Sequence, residues 1–386
     1  MSKNFKTAVM YGAGSIGRGF IGQLFTMSGY EVCFIDVDEK LVSKLNEEHE
    51  YRITIAAGDG YETRLIENVR AVNGKDTKKA AFEIASCSIM ATAVGVNILP
   101  YISQTIAMGM DLRFETHGEL PLDIIVCENI SGGGMHLKTL VAPHMKNKAY
   151  MEKCIGFVSA SVGRMVPVGS ASDSSDIIVE PYDELPIDAD ALKTDVSGLS
   201  NFKPTSPFEI EKYKKYYMHN MSHAITAYLG HLKGYEYIWE AIQDKYILGV
   251  TKAALAESIS AISSHFSTPA KPLEEYALDL LERYANRYLN DTVLRVGRDP
   301  KRKLAADDRL TGAAVFCIEN NIVPEYIPYG IAAAFYFDSP DDASSVEILS
   351  TVKEEGIRMA IEKYTGLRYE SALFEKVLSI YKSLEK

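Results

Sequence analysis

Residues 7–17 read TAVMYGAGSIG, a short apolar run that breaks into Gly12-Ala13-Gly14-Ser15-Ile16-Gly17, a G-x-G-x-x-G pattern. Residues 15–27 follow with helical spacing, Ile16, Phe20, Leu24 and Phe25 falling on one side. A second apolar run, EVCFID at residues 31–36, ends in Asp36, 19 positions after Gly17. Each element of this stretch has a physical task. Gly12 permits the tight turn out of the strand, Gly14 lets the backbone approach a pyrophosphate, and Gly17 lets helix and strand pack closely. The helix start at Ser15 and Ile16 offers N–H groups and the positive end of the helix dipole to an anion. The hexapeptide alone is a weak signal. Its strand–turn–helix–strand setting favours a dinucleotide site over a turn with only a packing role.

Asp36 selects among dinucleotides. Its carboxylate can accept hydrogen bonds from the adenosine ribose hydroxyls, whereas a 2′-phosphate would meet a like charge. At ~4 Å and an effective dielectric of ~20 that repulsion is of order 4 kcal/mol. Val37, Asp38 and Glu39 supply no arginine to relieve it. The expected cofactor is NAD(H), not NADP(H).

Outward from this stretch the first half alternates strand and helix. Residues 39–49 read as a second helix. Residues 51–56 and 61–69 read as a β excursion about the turn Gly58-Asp59-Gly60, and residues 88–94 and 123–127 as buried central strands. Residues 157–168 and 177–182 are expected to extend the sheet. Residues 183–207 shift to Asp, Pro, Ser and Asn, which reads as an inter-domain crossing. Beyond it, residues 209–229, 235–265, 272–288 and 341–364 carry 3.6-residue periodicity. The expected fold class is α/β: an N-terminal Rossmann-type doubly wound sheet over residues 1–190, and a mainly α-helical substrate domain over residues 191–386. A site is expected in the cleft between them.

Composition narrows the function. The 386 residues are 47% hydrophobic and 24% charged, an ordinary globular balance. A net charge of −11 disfavours a nucleic-acid partner. No apolar run approaches the ~18 residues of a membrane helix. Lys3 and Lys6 precede an apolar run that leads straight into the glycine motif, so no secretory leader is read there. The five cysteines are scattered, without C-x-x-C spacing, which suits a reducing cytoplasm and no zinc ribbon.

The second half carries polar candidates in KKYYMHNMSH, residues 214–223. On an α-helix at ~100° per residue, Asn220 lies ~140° and His223 ~80° around from Lys215, so all three can border one wall. Lysine can serve as base if neutral, asparagine can donate to a carbonyl oxygen, and histidine can bind a hydroxyl. A lysine base needs its pKa pulled from ~10.4 by roughly two or three units. A solvated helix surface is the competing reading. His219 and His223 are four apart, but Asn220 stands where a zinc H-E-x-x-H motif has glutamate, so no metal is expected. In the first half, Thr92-Ala93-Val94-Gly95 and Cys127-Glu128-Asn129 end predicted strands, placing Thr92, Val94, Gly95 and Asn129 at the mouth of the sheet. Residues 295–309 hold six basic residues against three acidic ones, including Arg298, Arg302 and Lys303. They read equally as a phosphate site or a solvated loop.

Taken together, these segments resemble the polyol-specific long-chain dehydrogenase/reductase family. The resemblance runs almost end to end: GAGSIGRGFIG at 12–22, TAVG at 92–95, CEN at 127–129, HAITAYLG at 223–230, VGRDPKRKL at 296–304 and GIAAA at 330–334. The family's K-x4-N-x2-H signature falls on Lys215, Asn220 and His223. The resemblance implies a metal-independent NAD-dependent oxidoreductase with Lys215 as general base. Asn129 and Asn220 would hydrogen-bond the developing alkoxide, and His223 would orient substrate. Arg298, Arg302 and Lys303 become the implied ligands of a substrate phosphate. The compact length is similar to the family's phosphate-specific branch, which interconverts D-mannitol 1-phosphate and D-fructose 6-phosphate. Alternatives are another sugar phosphate, a free polyol, a hexuronate, or a non-catalytic NAD-binding sensor. Two departures stand out: Val162-Gly163-Arg164 where the family commonly has V-D-R, and Met221-Ser222 in place of Thr-Gly. The expected partner is a small sugar or polyol phosphate, with no nucleic acid and no membrane. A monomer is compatible with this reading.

Overall fold

The computed structural model describes residues 7–57, 60–166 and 177–384. Lys3, Lys6, the Gly58-Asp59 part of the expected turn and the last two residues of the 157–168 span lie outside them. The chain divides into two compact units, Met1–Glu209 and Ile210–Lys386.

The first unit is built on six parallel strands: β1 (Thr7–Tyr11), β2 (Glu31–Asp36), β5 (Val69–Asn73), β6 (Ile89–Thr92), β7 (Leu122–Val126) and β8 (Ile155–Ser159). Their order across the sheet is β5-β2-β1-β6-β7-β8. Successive side chains on a strand point to opposite faces, and here both faces are buried. Ala8, Met10, Phe34, Ile125 and Val158 meet Phe20, Leu24 and Phe25 on one side. Val9, Cys33, Ile35, Met90, Ile124 and Phe157 meet Leu99, Ile102 and Ile106 on the other. That is why these strands read as near-continuous apolar runs. The order reverses between β1 and β6, which makes the ends of those strands the switch point of a doubly wound sheet.

Four sequence expectations change here. The strand read over residues 157–168 stops at Ser159, the end of β8, and residues 161–166 add nothing to the sheet. Residues 61–69 are not one strand: β3 (Glu50–Ala57) and β4 (Gly60–Glu67) form an antiparallel pair, and Asn68, at φ 62°, turns the chain into β5. β5 then pairs with β2 at the edge of the main sheet. Residues 177–182 do not extend the main sheet, because β9 (Ile177–Val179) pairs with β3. The crossing expected over residues 183–207, with its boundary at 190/191, belongs wholly to the first unit. β10 (Leu185–Asp188) and β11 (Phe202–Thr205) pair there, and Leu185, Ile187, Val196, Leu199 and Phe202 are buried in its core. Asp123 ties the segment down, accepting from Lys193 N at 2.8 Å and Thr194 N at 2.9 Å. A polar composition had masked this spaced apolar set, so the boundary falls at Glu209/Ile210.

The second unit is helical, and breaks appear where single residues stop the ladder. The 235–265 run splits at Asp244, whose carboxylate caps the Lys245–Phe266 helix by accepting from Tyr246 N and Ile247 N. The 341–364 run splits at Gly356, held at φ 86°. The 209–229 run stays helical but changes type: Lys214–Asn220 is π-helical before the α-helix Met221–Leu232. Among the described residues no helix is long and apolar enough to cross a membrane.

Candidate active site

The glycine motif opens at the end of β1 and divides into two kinds of glycine. Gly12 has φ 100°, and a Cβ there would sit 2.6 Å from Ala93 O. A Cβ on Gly17 would sit 2.0 Å from Gly12 O. Both are therefore required by packing. Gly14 is exposed, and a Cβ there would meet nothing within 4 Å. The open side of the motif is thus at Gly14, where a phosphate group needs close access to the backbone. Ser15 and Ile16, both half-buried, begin the helix, and Arg18 N–H closes its first turn on Gly14 O at 3.0 Å. Asp36 lies beside the turn: its Oδ2 accepts from Ala13 N at 2.6 Å and its Oδ1 from Asp38 N at 3.0 Å. Each oxygen keeps acceptor capacity for a further donor. The set fits an adenine dinucleotide with free ribose hydroxyls.

Gly17–Gly22 is π-helical. Such a segment widens the hydrogen-bond ladder, and π-bulges cluster at functional sites. Here side chains meet the carbonyls: Tyr51 Oη donates to Arg18 O at 2.7 Å, and Arg164 Nη1 to Gly19 O at 3.1 Å. Arg164, only 4% exposed, also holds Gln23 Oε1 and Glu180 O. A Cβ on the adjacent Gly163 would meet the Tyr182 ring at 3.3 Å. The Val162-Gly163-Arg164 departure therefore places a tyrosine edge beside the position where the family has a carboxylate.

The strand ends beyond the switch point are tied by a residue the sequence reading passed over. Glu128, buried, accepts from Thr92 Oγ1 at 2.7 Å and from Val94 N at 2.9 Å. Burial pushes its carboxyl above the ordinary value. Thr92 is fully buried, so its hydroxyl serves Glu128 rather than a ligand. Val94 is half-buried, and Gly95 and Asn129 are exposed. The signal was Glu128's place in Cys127-Glu128-Asn129, between two residues already singled out.

In the second unit the π-helical turn alters the angles among the candidates. An i→i+5 ladder turns roughly 80° per residue, which brings Asn220 from ~140° to roughly 50° from Lys215. Three α-helical residues later, His223 falls within roughly 60° of both. All three are half-buried. The neighbouring Lys214 is engaged elsewhere, donating to Glu211 Oε1 at 2.7 Å.

His223 is held on two sides. Its ring stacks on Tyr284 at 4.7 Å between centroids and 7° between planes. Its Nε2 lies 3.1 Å from Asp291 Oδ2, and among the described residues no hydrogen bond reaches either atom. The two atoms make a close polar contact between ring and carboxylate. Arg295 holds the other carboxylate oxygen, its Nε 2.6 Å from Asp291 Oδ1. Burial alone would raise the Asp291 carboxyl, but His223 and Arg295 outweigh it and hold it below its ordinary value. Asp291 and Tyr284 carried no sequence signal, because neither lies within a recognisable spacing of His223.

His219 is buried, and its ring is 5.9 Å from that of His223. Burial, then nearby cationic side chains led by Arg283, push its pKa well below the ordinary value. It is a neutral ring among cations. Among the described residues no group of three His, Cys, Asp or Glu could hold a metal ion.

The basic segment is not uniform. Arg298 is exposed, and Arg302 pairs with Asp299 at 3.1 Å. Lys303 is 5% exposed and donates to the Arg298 carbonyl. Burial, with Arg309 and Arg302 alongside, pushes the Lys303 amine down to about 7. Arg309 is fixed by its neighbour, Nε donating to Asp308 Oδ1 at 2.7 Å.

Comparison with known proteins places this geometry. Residues 6–199 match the mannitol dehydrogenase Rossmann domain, and residues 207–384 the mannitol dehydrogenase C-terminal domain. The mannitol-1-phosphate 5-dehydrogenase of Brevibacillus brevis is 39% identical over 365 residues, covering 93% of each chain. That of Streptococcus mutans is 33% identical over 383 residues, covering 98% of this chain and all of its own. A D-sorbitol dehydrogenase in substrate-free form superposes with a TM-score of 0.82 at 16% identity, covering 98% of this chain and 93% of its own. The Pseudomonas fluorescens mannitol 2-dehydrogenase, solved with NAD and D-mannitol, superposes at 0.68 and 14% identity, covering 100% and 92%. These two likenesses establish the fold. With a Rossmann half and a helical half that both match their models, and curated relatives spanning nearly the whole chain, this protein belongs to the mannitol dehydrogenase family of oxidoreductases.

Proposed function

We propose that this chain is an NAD-dependent polyol-phosphate dehydrogenase that interconverts D-mannitol 1-phosphate and D-fructose 6-phosphate in the cytoplasm. The observation that carries the reading is the π-helical turn Lys214–Asn220, whose angular spacing supports one helix face for Lys215, Asn220 and His223. The relatives named mannitol-1-phosphate 5-dehydrogenase support the substrate. The five free, buried thiols fit a reducing compartment.

In this reading the first unit holds the dinucleotide. Gly12, Gly14 and Gly17 shape the turn, Ser15 and Ile16 present the helix start, and Asp36 receives the ribose. Val94 and Gly95 border the nicotinamide, with Thr92 and Glu128 bracing them. NAD supplies the hydride acceptor. Lys215 takes the proton of the substrate alcohol, and in the reductive direction returns it to the carbonyl oxygen. Asn129 and Asn220 donate hydrogen bonds to the developing alkoxide, a role worth most where water is excluded. His223 orients the substrate chain. Arg298, Arg302 and Lys303 take the phosphate; an amine with a pKa of about 7 gains full charge beside a dianion.

The test is NADH oxidation by the purified protein with fructose 6-phosphate, beside free fructose, other ketose phosphates and hexuronates. Saturable turnover with fructose 6-phosphate alone is expected. Lys215→Ala should abolish turnover and leave NADH binding intact. Turnover with a different ketose would move the substrate and keep the mechanism. NADH binding without turnover on any of them would make the protein a sensor.

A further inference from the structure

We propose that Asp291 is a positioning residue that sets the tautomer of His223, so that the ring presents a hydrogen-bond acceptor to a hydroxyl of the bound substrate. The inference rests on the proposed role of His223 in orienting substrate, and it extends that role to an atom.

The geometry leaves His223 little freedom. Tyr284 stacks parallel on its ring and fixes the plane. The Tyr284 hydroxyl is itself held, 2.9 Å from Ser222 Oγ and donating to His219 O at 2.8 Å. On its edge, Nε2 lies 3.1 Å from Asp291 Oδ2. Asp291 is equally constrained. It is 7% exposed, its carbonyl accepts from Ile238 N at 2.9 Å, and Arg295 occupies Oδ1 with both Nε and Nη2. The carboxylate therefore has one oxygen committed to a guanidinium and the other beside the ring.

A carboxylate only accepts, so with Oδ2 3.1 Å away the ring proton belongs on Nε2, where two lone pairs would otherwise face each other. A neutral imidazole has a single N–H, and the lone pair then lies on Nδ1. A lone pair at Nδ1 accepts from a sugar hydroxyl and offers nothing to a carbonyl oxygen. The substrate's carbonyl or alkoxide is left to Asn129, Asn220 and Lys215, and the ring reads a neighbouring hydroxyl.

The same constraints say what an isosteric change does. In Asp291→Asn the two Arg295 donors demand an acceptor at the position of Oδ1, so the amide oxygen turns to Arg295. The amide N–H2 is left facing His223 Nε2. Two donors cannot face each other, so the ring proton moves to Nδ1. The variant keeps shape and packing but presents a donor where the substrate hydroxyl needs an acceptor.

Two measurements test this on the full-length protein. In 15N-histidine-labelled protein, long-range 15N–1H correlation should show the His223 proton on Nε2, and on Nδ1 in Asp291→Asn. With fructose 6-phosphate and NADH, Asp291→Asn should lower kcat/KM about tenfold or more, a size normal for coupled neighbours. NADH affinity should stay unchanged. In a His223→Ala background the same substitution should add less than about threefold. An equal loss in both backgrounds, or a His223 proton on Nδ1 in the unsubstituted protein, would overturn the proposal. If His223→Ala alone costs nothing, the substrate role of His223 fails, and this inference fails with it for that separate reason. Should Asp291→Asn fold poorly, Arg295→Gln relaxes the partly exposed end of the same chain; a loss confined to the His223 background supports the proposal, and a loss without His223 overturns it.

Discussion

Alanine at Gly14 and at Gly17 should part stability from cofactor binding within one hexapeptide. At Gly17 the added Cβ would lie 2.0 Å from Gly12 O, about 1 Å inside the closest contact a Cβ makes. The oxygen cannot retreat easily, because Gly12 is held at φ 100° and donates its N–H to Ile35 O at 2.8 Å. Overpacking of this kind costs about 1–3 kcal/mol. For a unit of about 200 residues each kcal/mol moves Tm by roughly 2–4 °C, so Gly17→Ala should melt roughly 2–12 °C early. At Gly14 the Cβ meets nothing and the backbone is not left-handed. There the substitution should leave Tm unchanged or raise it, since alanine narrows the unfolded ensemble by about 0.4–1 kcal/mol. Its methyl nevertheless stands on the open side of the turn, where a pyrophosphate oxygen approaches the amides. Loss of one hydrogen bond to a charged group costs ~1.5–3 kcal/mol, or about 10- to 150-fold in NADH Kd. Thermal melts without ligand and NADH fluorescence titration give the two numbers. A Gly14→Ala protein that binds NADH as before would refute the phosphate assignment, and a Gly17→Ala protein that melts with the unsubstituted one would refute the packing argument.

Two further outcomes follow from single side chains. Asp36→Ala should weaken NADH binding and narrow its preference over NADPH, because the carboxylate that repels a 2′-phosphate is gone; an unchanged ratio of the two affinities contradicts the ribose assignment. His219, held neutral in the folded protein, should make stability fall as pH drops below about 6.5, where the unfolded chain binds a proton that the folded chain refuses. Integrated from pH 7.5 to 5.5 the loss is about 1.4 kcal/mol in all, and urea unfolding of His219→Gln over that range should show that much less pH dependence. Equal slopes would mean that His219 takes up its proton without unfolding.

Much of the site was legible because its signals are local. A turn needing glycine at fixed steps, a strand ending in Asp36 and a strand-end Cys127-Glu128-Asn129 are patterns of adjacent residues, and the structure keeps each at the element end expected of it. The K-x4-N-x2-H spacing was legible as a motif, but its α-helical projection spread Lys215 and Asn220 too far apart. A π-helical turn is a contest between ladder registers, decided by packing around the helix, so spacing alone missed it. In Gly17–Gly22 the partners that meet the widened ladder, Tyr51 and Arg164, come from distant strands and loops.

By itself, then, the sequence determined the parallel sheet, the glycine turn and its acidic partner, and the helical second half, since hydrophobic period and turn chemistry act over a few residues. Tertiary structure alone decided that β5 joins the main sheet while β9 leaves it, and that residues 183–207 belong to the first unit. It alone set Glu128 beneath the strand ends and Asp291 behind His223. Those outcomes depend on which buried donor finds which acceptor across long stretches of chain. A buried polar group must be paired, but nothing in its neighbours along the chain says by whom.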